Sequence, residues 1–230
     1  KQAILDDIYL TIEDDFVKYK RRVNTSRLKE VYESIIYQSG NKFVISKSAE
    51  TGNFEQKKEA LELLGMAGLC YKVYHTSANG VPLAAERNYR KFKTLFFDTG
   101  LFQRKMNIKM GDFMLADKLD QMNKGNIAEH YAGMELIKQL FLKSKPELFY
   151  WKREKRGSNA EVDFMLEGKR QIVPVEIKSG TQGKMQSLFK FMQEKKLNKG
   201  IRISMENFSS YGGIEVYPLY AVDTMLNLNL

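Results

Sequence analysis

The stretch Ala160–Gly180, AEVDFMLEGKRQIVPVEIKSG, constrains the chain more than any other part of it. Glu161 to Leu166 has the composition of a strand, and so does Ile172 to Lys178. Glu167-Gly168-Lys169-Arg170 between them is a tight polar turn. The segment is therefore predicted to be a β-hairpin. A strand alternates its side chains with a period of two. Glu161 and Asp163 are thus expected on one face, and so are Glu176 and Lys178. Two carboxylates and a lysine amid Val, Ile and Phe are costly unless they are paired or hold a metal.

Composition limits what surrounds this hairpin. The chain has 230 residues, 43% hydrophobic and 28% charged, which suits one large domain or two small ones. It contains no run of about 18 apolar residues, so no membrane span and no membrane partner are expected. The N-terminus turns acidic at Asp6-Asp7, unlike a signal peptide, and the absence of an initiator Met is expected of a fragment or a processed chain. Cys70 is the single cysteine, which rules out an internal disulfide and fits a reducing, cytoplasmic compartment. The net charge is +9, and Lys138 to Arg202 accounts for all of it, with 16 Lys/Arg against 7 Asp/Glu. A basic half of this kind suits a polyanion such as nucleic acid, or serves only solubility.

Before the hairpin, Ile4 to Lys20 carries Ile4, Ile8, Ile12, Phe16 and Tyr19 near helical spacing. Its acids come early and Lys18 to Arg22 late, as a helix dipole favours. Asn24-Thr25-Ser26 is placed to cap a helix to about Gln38, with Leu28, Val31, Tyr32, Ile35 and Ile36 inward and Gly40 as its stop. Phe54 to Gly65 is expected to be a third helix. Leu69 to His75 and Phe92 to Asp98 are expected strands around a turn at Ser77-Ala78-Asn79-Gly80. Helices followed by a hairpin of this size predict a winged-helix-like module over 1–104, either DNA-binding or a docking piece. A polar, Met-rich connector over 105–125 follows, with a short helix near Asp112 to Leu119.

The remaining part, 126–230, is expected to open on a helix from Ile127 to Leu142, its apolar face built from Ile127, Tyr131, Met134, Leu136, Ile137, Leu140 and Phe141. Glu129 falls in its first turn, where an exposed acid is ordinary. Leu148 to Trp151 is a strand, and Lys152, Arg153, Lys155 and Arg156 crowd the turn into the hairpin. A helix from Met185 to about Lys196 should face inward with Met185, Leu188, Phe189 and Met192. Strands at Gly200–Ser204 and Ile214–Tyr217 complete the pattern. Helix, three strands, helix, strand gives an α/β (α+β) class with a mixed sheet flanked by helices.

A Glu-x-Lys triplet alone carries little, because the chain has four, at Glu55, Glu167, Glu176 and Glu194. Only Glu176-Ile177-Lys178 is embedded in an apolar strand with a carboxylate, Asp163, on the preceding strand. Neighbouring strands lie about 5 Å apart, close enough for Asp163 and Glu176 to share one ion. Mg²⁺ suits such a pair, since it takes one or two carboxylates plus waters and phosphate oxygens. Lys178 beside them is placed to orient water or offset charge on a transition state, and Glu129 adds a third carboxylate if its helix packs on the sheet. The plain alternative is an Asp163–Lys178 ion pair without catalysis.

Four stretches together resemble a known family: Phe97-Asp98-Thr99-Gly100-Leu101, Gly125-Asn126-Ile127-Ala128-Glu129, Glu161-Val162-Asp163-Phe164 and Val175-Glu176-Ile177-Lys178-Ser179. The last three resemble the PD-(D/E)XK, or restriction-endonuclease-like, superfamily. The whole chain is similar to the C-terminal region of prokaryotic AAA-type ATP-binding proteins, a region described as a domain of unknown function. The resemblance implies a winged helix ahead of a nuclease-like fold, and an upstream ATPase domain as partner. It implies Mg²⁺ or Mn²⁺ held by Asp163, Glu176 and Glu129, with these residues and Lys178 catalytic. Lys152, Arg153, Lys155 and Arg156 become candidate contacts to nucleic acid, expected to be DNA. The superfamily's usual Pro before the first acid is replaced, as Ala160-Glu161-Val162-Asp163 shows. No Gly-x-x-x-x-Gly-Lys-Ser/Thr sequence occurs, so no ATP site of the phosphate-loop kind is expected within these residues.

Overall fold

A computed structural model describes residues 2–107, 118–141, 146–155, 157, 159–168, 171–181 and 183–229, with 118–123 and 227–229 as backbone only. Two compact units divide the chain, and each is described by itself. The first comprises Lys1–Lys72 with Lys93–Asp120, and the second Val73–Phe92 with Gln121–Leu230. The division differs from the contiguous 1–104, 105–125 and 126–230 expected from sequence, because Val73–Phe92 groups with the C-terminal residues. The connector helix expected near Asp112 to Leu119 lies largely outside the described residues.

The first unit is mainly helical. α1 spans Gln2–Asp15 and passes into a tight turn at Phe16–Tyr19, so the basic residues from Lys18 onward follow the α-helix and do not form its last turn. Tyr9 and Phe16 point inward, whereas Ile4 and Ile8, expected inside, are exposed. The ring of Tyr32 explains the choice, for it stacks on Tyr9 at 5.1 Å and meets Phe16 edge-on at 5.3 Å. α2 spans Thr25–Tyr37, and the Asn24 side chain accepts from the Arg27 N–H as its cap. Leu28, Val31, Tyr32, Ile35 and Ile36 are all buried, as their spacing predicts. α3 spans Phe54–Met66 behind a capping box, in which Asn53 and Gln56 each bond the other's backbone N–H. α4 spans Thr99–Lys105, and the Asp98 carboxylate caps it by accepting from Leu101 N–H at 2.8 Å.

Among the described residues a single mixed sheet of eight strands is formed: β1 Cys70–Thr76, β2 Arg87–Phe96, β3 Leu148–Lys152, β4 Glu161–Glu167, β5 Ile172–Ile177, β6 Gly200–Ser204, β7 Ser209–Tyr211 and β8 Ile214–Pro218. Their order is β2-β1-β3-β4-β5-β6-β8-β7. β1 runs parallel to β3, β5 to β6 and β6 to β8, while β3–β4, β4–β5 and β7–β8 are antiparallel. All six residues of β5 are buried, the near-continuous apolar run of a central strand.

α5, Lys118–Phe141, begins well before the expected Ile127 and buries Ile127, Ala128, Ala132, Met134, Leu136 and Ile137, leaving Phe141 exposed. α6, Gln186–Lys195, packs on β4 and β5, with Leu188, Phe191 and Met192 inward and Phe189, expected inside, at the surface. Phe191 meets Trp151 edge-on at 4.8 Å in a core that also holds Val162, Met165, Ile214 and Val216. α7, Val222–Asn229, packs on β8 and had no counterpart in the sequence reading.

Candidate functional site

The hairpin forms as β4 and β5, and it has one irregularity that period-two reasoning does not contain. Phe149 lies opposite Met165, yet Trp151 lies opposite Val162, so β4 carries one extra residue across the interval holding Asp163 and Phe164. Val162 and Met165, three apart, consequently share one core cluster. The strict alternation thus breaks between Asp163 and Phe164, beyond the Glu161–Asp163 step. Such bulges re-aim side chains, and no residue type in Val162-Asp163-Phe164-Met165 announces one.

The β4–β5 ladder is in register from Glu167–Ile172 to Phe164–Val175. Past that point the Asp163 side chain stands in for a strand partner: its Oδ2 accepts from the Ile177 N–H at 2.8 Å. Glu176, one residue earlier, is buried, with 5% of its surface exposed. Lys178 folds back, and its Nζ lies 2.6 Å from Glu176 Oε1. The lysine thus pairs with Glu176 and not with Asp163, as the non-catalytic alternative had it. Glu176 Oε2 is buried and has no hydrogen-bond partner among the described residues.

Burial first and the charge of Asp163 second push the Glu176 carboxyl up to about 8, against the opposing charge of Lys178 and with a smaller upward push from Glu129. Glu129 thus acts on Glu176 through its charge. It is not the exposed first-turn acid expected from sequence, because α5 starts at Lys118 and Glu129 is half-buried in mid-helix. Asp163, Glu176 and Lys178 are brought together at the end of β5. Among the described residues no group of three or more His, Cys, Asp or Glu is gathered closely enough to ligate one ion. The donors that fit a cation are the orphaned Oε2 of Glu176 and the adjacent Asp163 carboxylate. Both are hard oxygens, and two carboxylates suffice for a Mg²⁺ site completed by water.

The basic turn is less free than its sequence suggests. Lys152 is ion-paired with Glu161 at 2.8 Å, and Arg153 with Glu194 on α6. Lys155 is exposed, and Arg156 lies outside the described residues. Such pairs contribute little stability, but each offsets positive charge that a polyanion would otherwise meet. A residue that sequence reasoning passed over, Arg202, sits on β6 as the direct neighbour of Glu176 across the parallel ladder. It is buried, and its only sequence signal is a charge inside the apolar strand Gly200-Ile201-Arg202-Ile203-Ser204.

The architecture is that of an α/β protein with a mixed sheet. Residues 124–225 match the family model described as Domain of unknown function (DUF4143), a domain found in the C-terminal region of AAA-ATPase-like proteins. Residues 1–111 match a second model, Domain of unknown function (DUF8612). No curated protein and no solved structure matches the chain. No helix among the described residues is long and apolar enough to cross a membrane.

Proposed function

We propose that this chain is the C-terminal part of a cytoplasmic AAA-type ATPase, and that Asp163, Glu176, Lys178 and Glu129 form a restriction-endonuclease-like site for divalent-metal-dependent hydrolysis of DNA phosphodiesters. One observation carries the reading. Glu176 is a buried carboxylate set beside the Asp163 carboxylate, and one of its oxygens lacks a partner among the described residues. Such an arrangement is costly in a fold that does nothing with it, and a cation would relieve it. The order α5, β3, β4, β5, α6, β6 supports the nuclease-like fold, and the helical unit before it is read as winged-helix-like.

Asp163 and Glu176 would hold Mg²⁺ or Mn²⁺, with Glu129 assisting. When bound, such an ion polarises a phosphoryl oxygen and makes water more acidic. The chain's own contribution is positional. Asp163 is fixed by the Ile177 N–H, Glu176 by its buried strand, and Lys178 brings a positive charge to the spot where charge builds on a phosphorane-like transition state. The test is cleavage of DNA, RNA and branched substrates by the purified chain with Mg²⁺ or Mn²⁺. Activity that Glu176→Ala abolishes is expected; no cleavage of any substrate would sink the reading.

The 2.6 Å pairing of Lys178 with Glu176 favours a second reading, in which the cluster is internally neutralised and the chain is a non-catalytic nucleic-acid- or protein-binding module of the ATPase. In that case Glu176→Ala leaves binding intact. Charge reversal of Lys152, Arg153, Lys155 and Arg156 instead weakens DNA binding and flattens its salt dependence.

A further inference from the structure

Arg202 is a buried cation, with 4% of its surface exposed, and its guanidinium is committed on several sides. Nη1 donates to the Tyr211 hydroxyl at 3.0 Å, and Nη2 donates to the Thr181 carbonyl at 2.9 Å and lies 3.2 Å from Glu206 Oε1. A planar fork of this kind holds its acceptors in fixed directions. Thr181 belongs to the loop that leaves β5 immediately after Lys178. Further along that loop, Gly183 (φ +143°) comes so near the lysine that an added Cβ would lie 3.1 Å from Lys178 Cδ. The lysine's stem thus lies against Gly183, and its head rests on Glu176. The lysine's backbone N–H is bonded to the Ile203 carbonyl at 2.8 Å, on the same strand as Arg202.

We propose that Arg202 is a positioning residue for the Glu176–Lys178 pair: by gripping the Thr181 carbonyl it keeps the nearby Gly183 against the lysine stem and so holds the ammonium on the carboxylate. Arg202 acts through the loop: its hydrogen bonds and ion pair go to Tyr211, Thr181 and Glu206, not to Glu176 or Lys178. Its relevance to catalysis rests on the nuclease-like reading, but the positioning itself does not.

The test uses the intact chain and needs neither metal nor substrate. Lysine acetylation at fixed pH is followed residue by residue by mass spectrometry in wild type, Arg202→Met and Arg202→Lys. Loss of a hydrogen bond to a charged group should raise the labelling rate of Lys178 on the order of tenfold. Lys199, ion-paired with Glu215 near the same strands, serves as the control and should hold its rate. Arg202→Lys keeps the charge without the fork and should recover only part of the protection. Gly183→Ala, which crowds the lysine stem without touching Arg202, gives a second route to the same selective rise if Arg202→Met does not fold. Unchanged labelling of Lys178 in the folded variants, or a rise no greater than that of Lys199, overturns the proposal. A Mn²⁺ titration of the same proteins reports separately on the metal reading, so the two can fail independently.

Discussion

At the scale of single residues, Glu176 dominates. Its carboxyl is raised from 4.5 to about 8, first by burial and then by Asp163. A group whose folded value lies above its unfolded value takes up a proton on folding. Its contribution to stability is complete below about 4.5 and is lost as the pH climbs through 8. Glu176→Gln is neutral throughout that window. It is expected to flatten the decline and to raise the melting temperature of the metal-free protein by a few degrees in mild alkali, while removing Mn²⁺ binding. Thermal melts of both proteins between pH about 5 and 9 check this, and parallel curves would contradict it. Cys70 offers a second residue-level prediction. Burial pushes its thiol up to about 12, so the folded chain should resist alkylation at mildly alkaline pH and react only after denaturation. The sequence reading found Glu176 because a charge inside an apolar strand is visible without a structure. It passed over Arg202 because a lone arginine there has no second signal in the sequence.

Elements were legible where their ends carry chemistry. Asn24 and Asn53 mark the starts of α2 and α3, and both accept the backbone N–H three residues on. Asn53→Ala removes the acceptor of a capping box and should cost about 1 kcal/mol in denaturant unfolding. Asp98→Ala should cost a similar amount, about 1 kcal/mol, because Asp98 caps α4, which gives the Asp-Thr-Gly-Leu stretch a structural role. α5 was misread where its ends are silent. The helix was expected from Ile127, after a connector ending at 125, yet it runs from Lys118 through Gly125-Asn126. Local propensity is a weak influence that packing overrides, and the earlier start puts Glu129 half-buried in mid-helix. The bulge in β4 was equally hidden, since it depends on pairing with β3.

At the scale of the whole molecule, chain order and packing diverge. Residues 1–111 match one family model, yet Val73–Phe92 belongs to the compact unit built mainly from Gln121–Leu230. β1 pairs with β3, while Ala78 and Leu83 enter the core beneath β3 and β4. The Leu83 N–H donates to Glu167 Oε1 at 2.7 Å, at the far end of β4. A fragment of residues 121–230 alone would bare the edge of β3, whose Leu148–Trp151 are all buried, and lose part of that core. Such a fragment is expected to be insoluble or to melt well below the full chain, whereas one beginning at Val73 should retain the sheet. Equal solubility and melting of the two fragments would refute this.

The hairpin Ala160–Gly180 was determined by sequence alone, because alternation, turn chemistry and the misplaced charges Asp163, Glu176 and Lys178 are properties of residues near one another in the chain. What each charge touches was decided only by the tertiary structure. Asp163 answers to the Ile177 amide, Lys178 to Glu176, Lys152 to Glu161 and Arg153 to Glu194. These are choices among many possible partners, and only register, the bulge in β4 and the seating of α5 and α6 select between them. Electrostatics depends on distance and burial, and neither quantity exists until the strands are side by side.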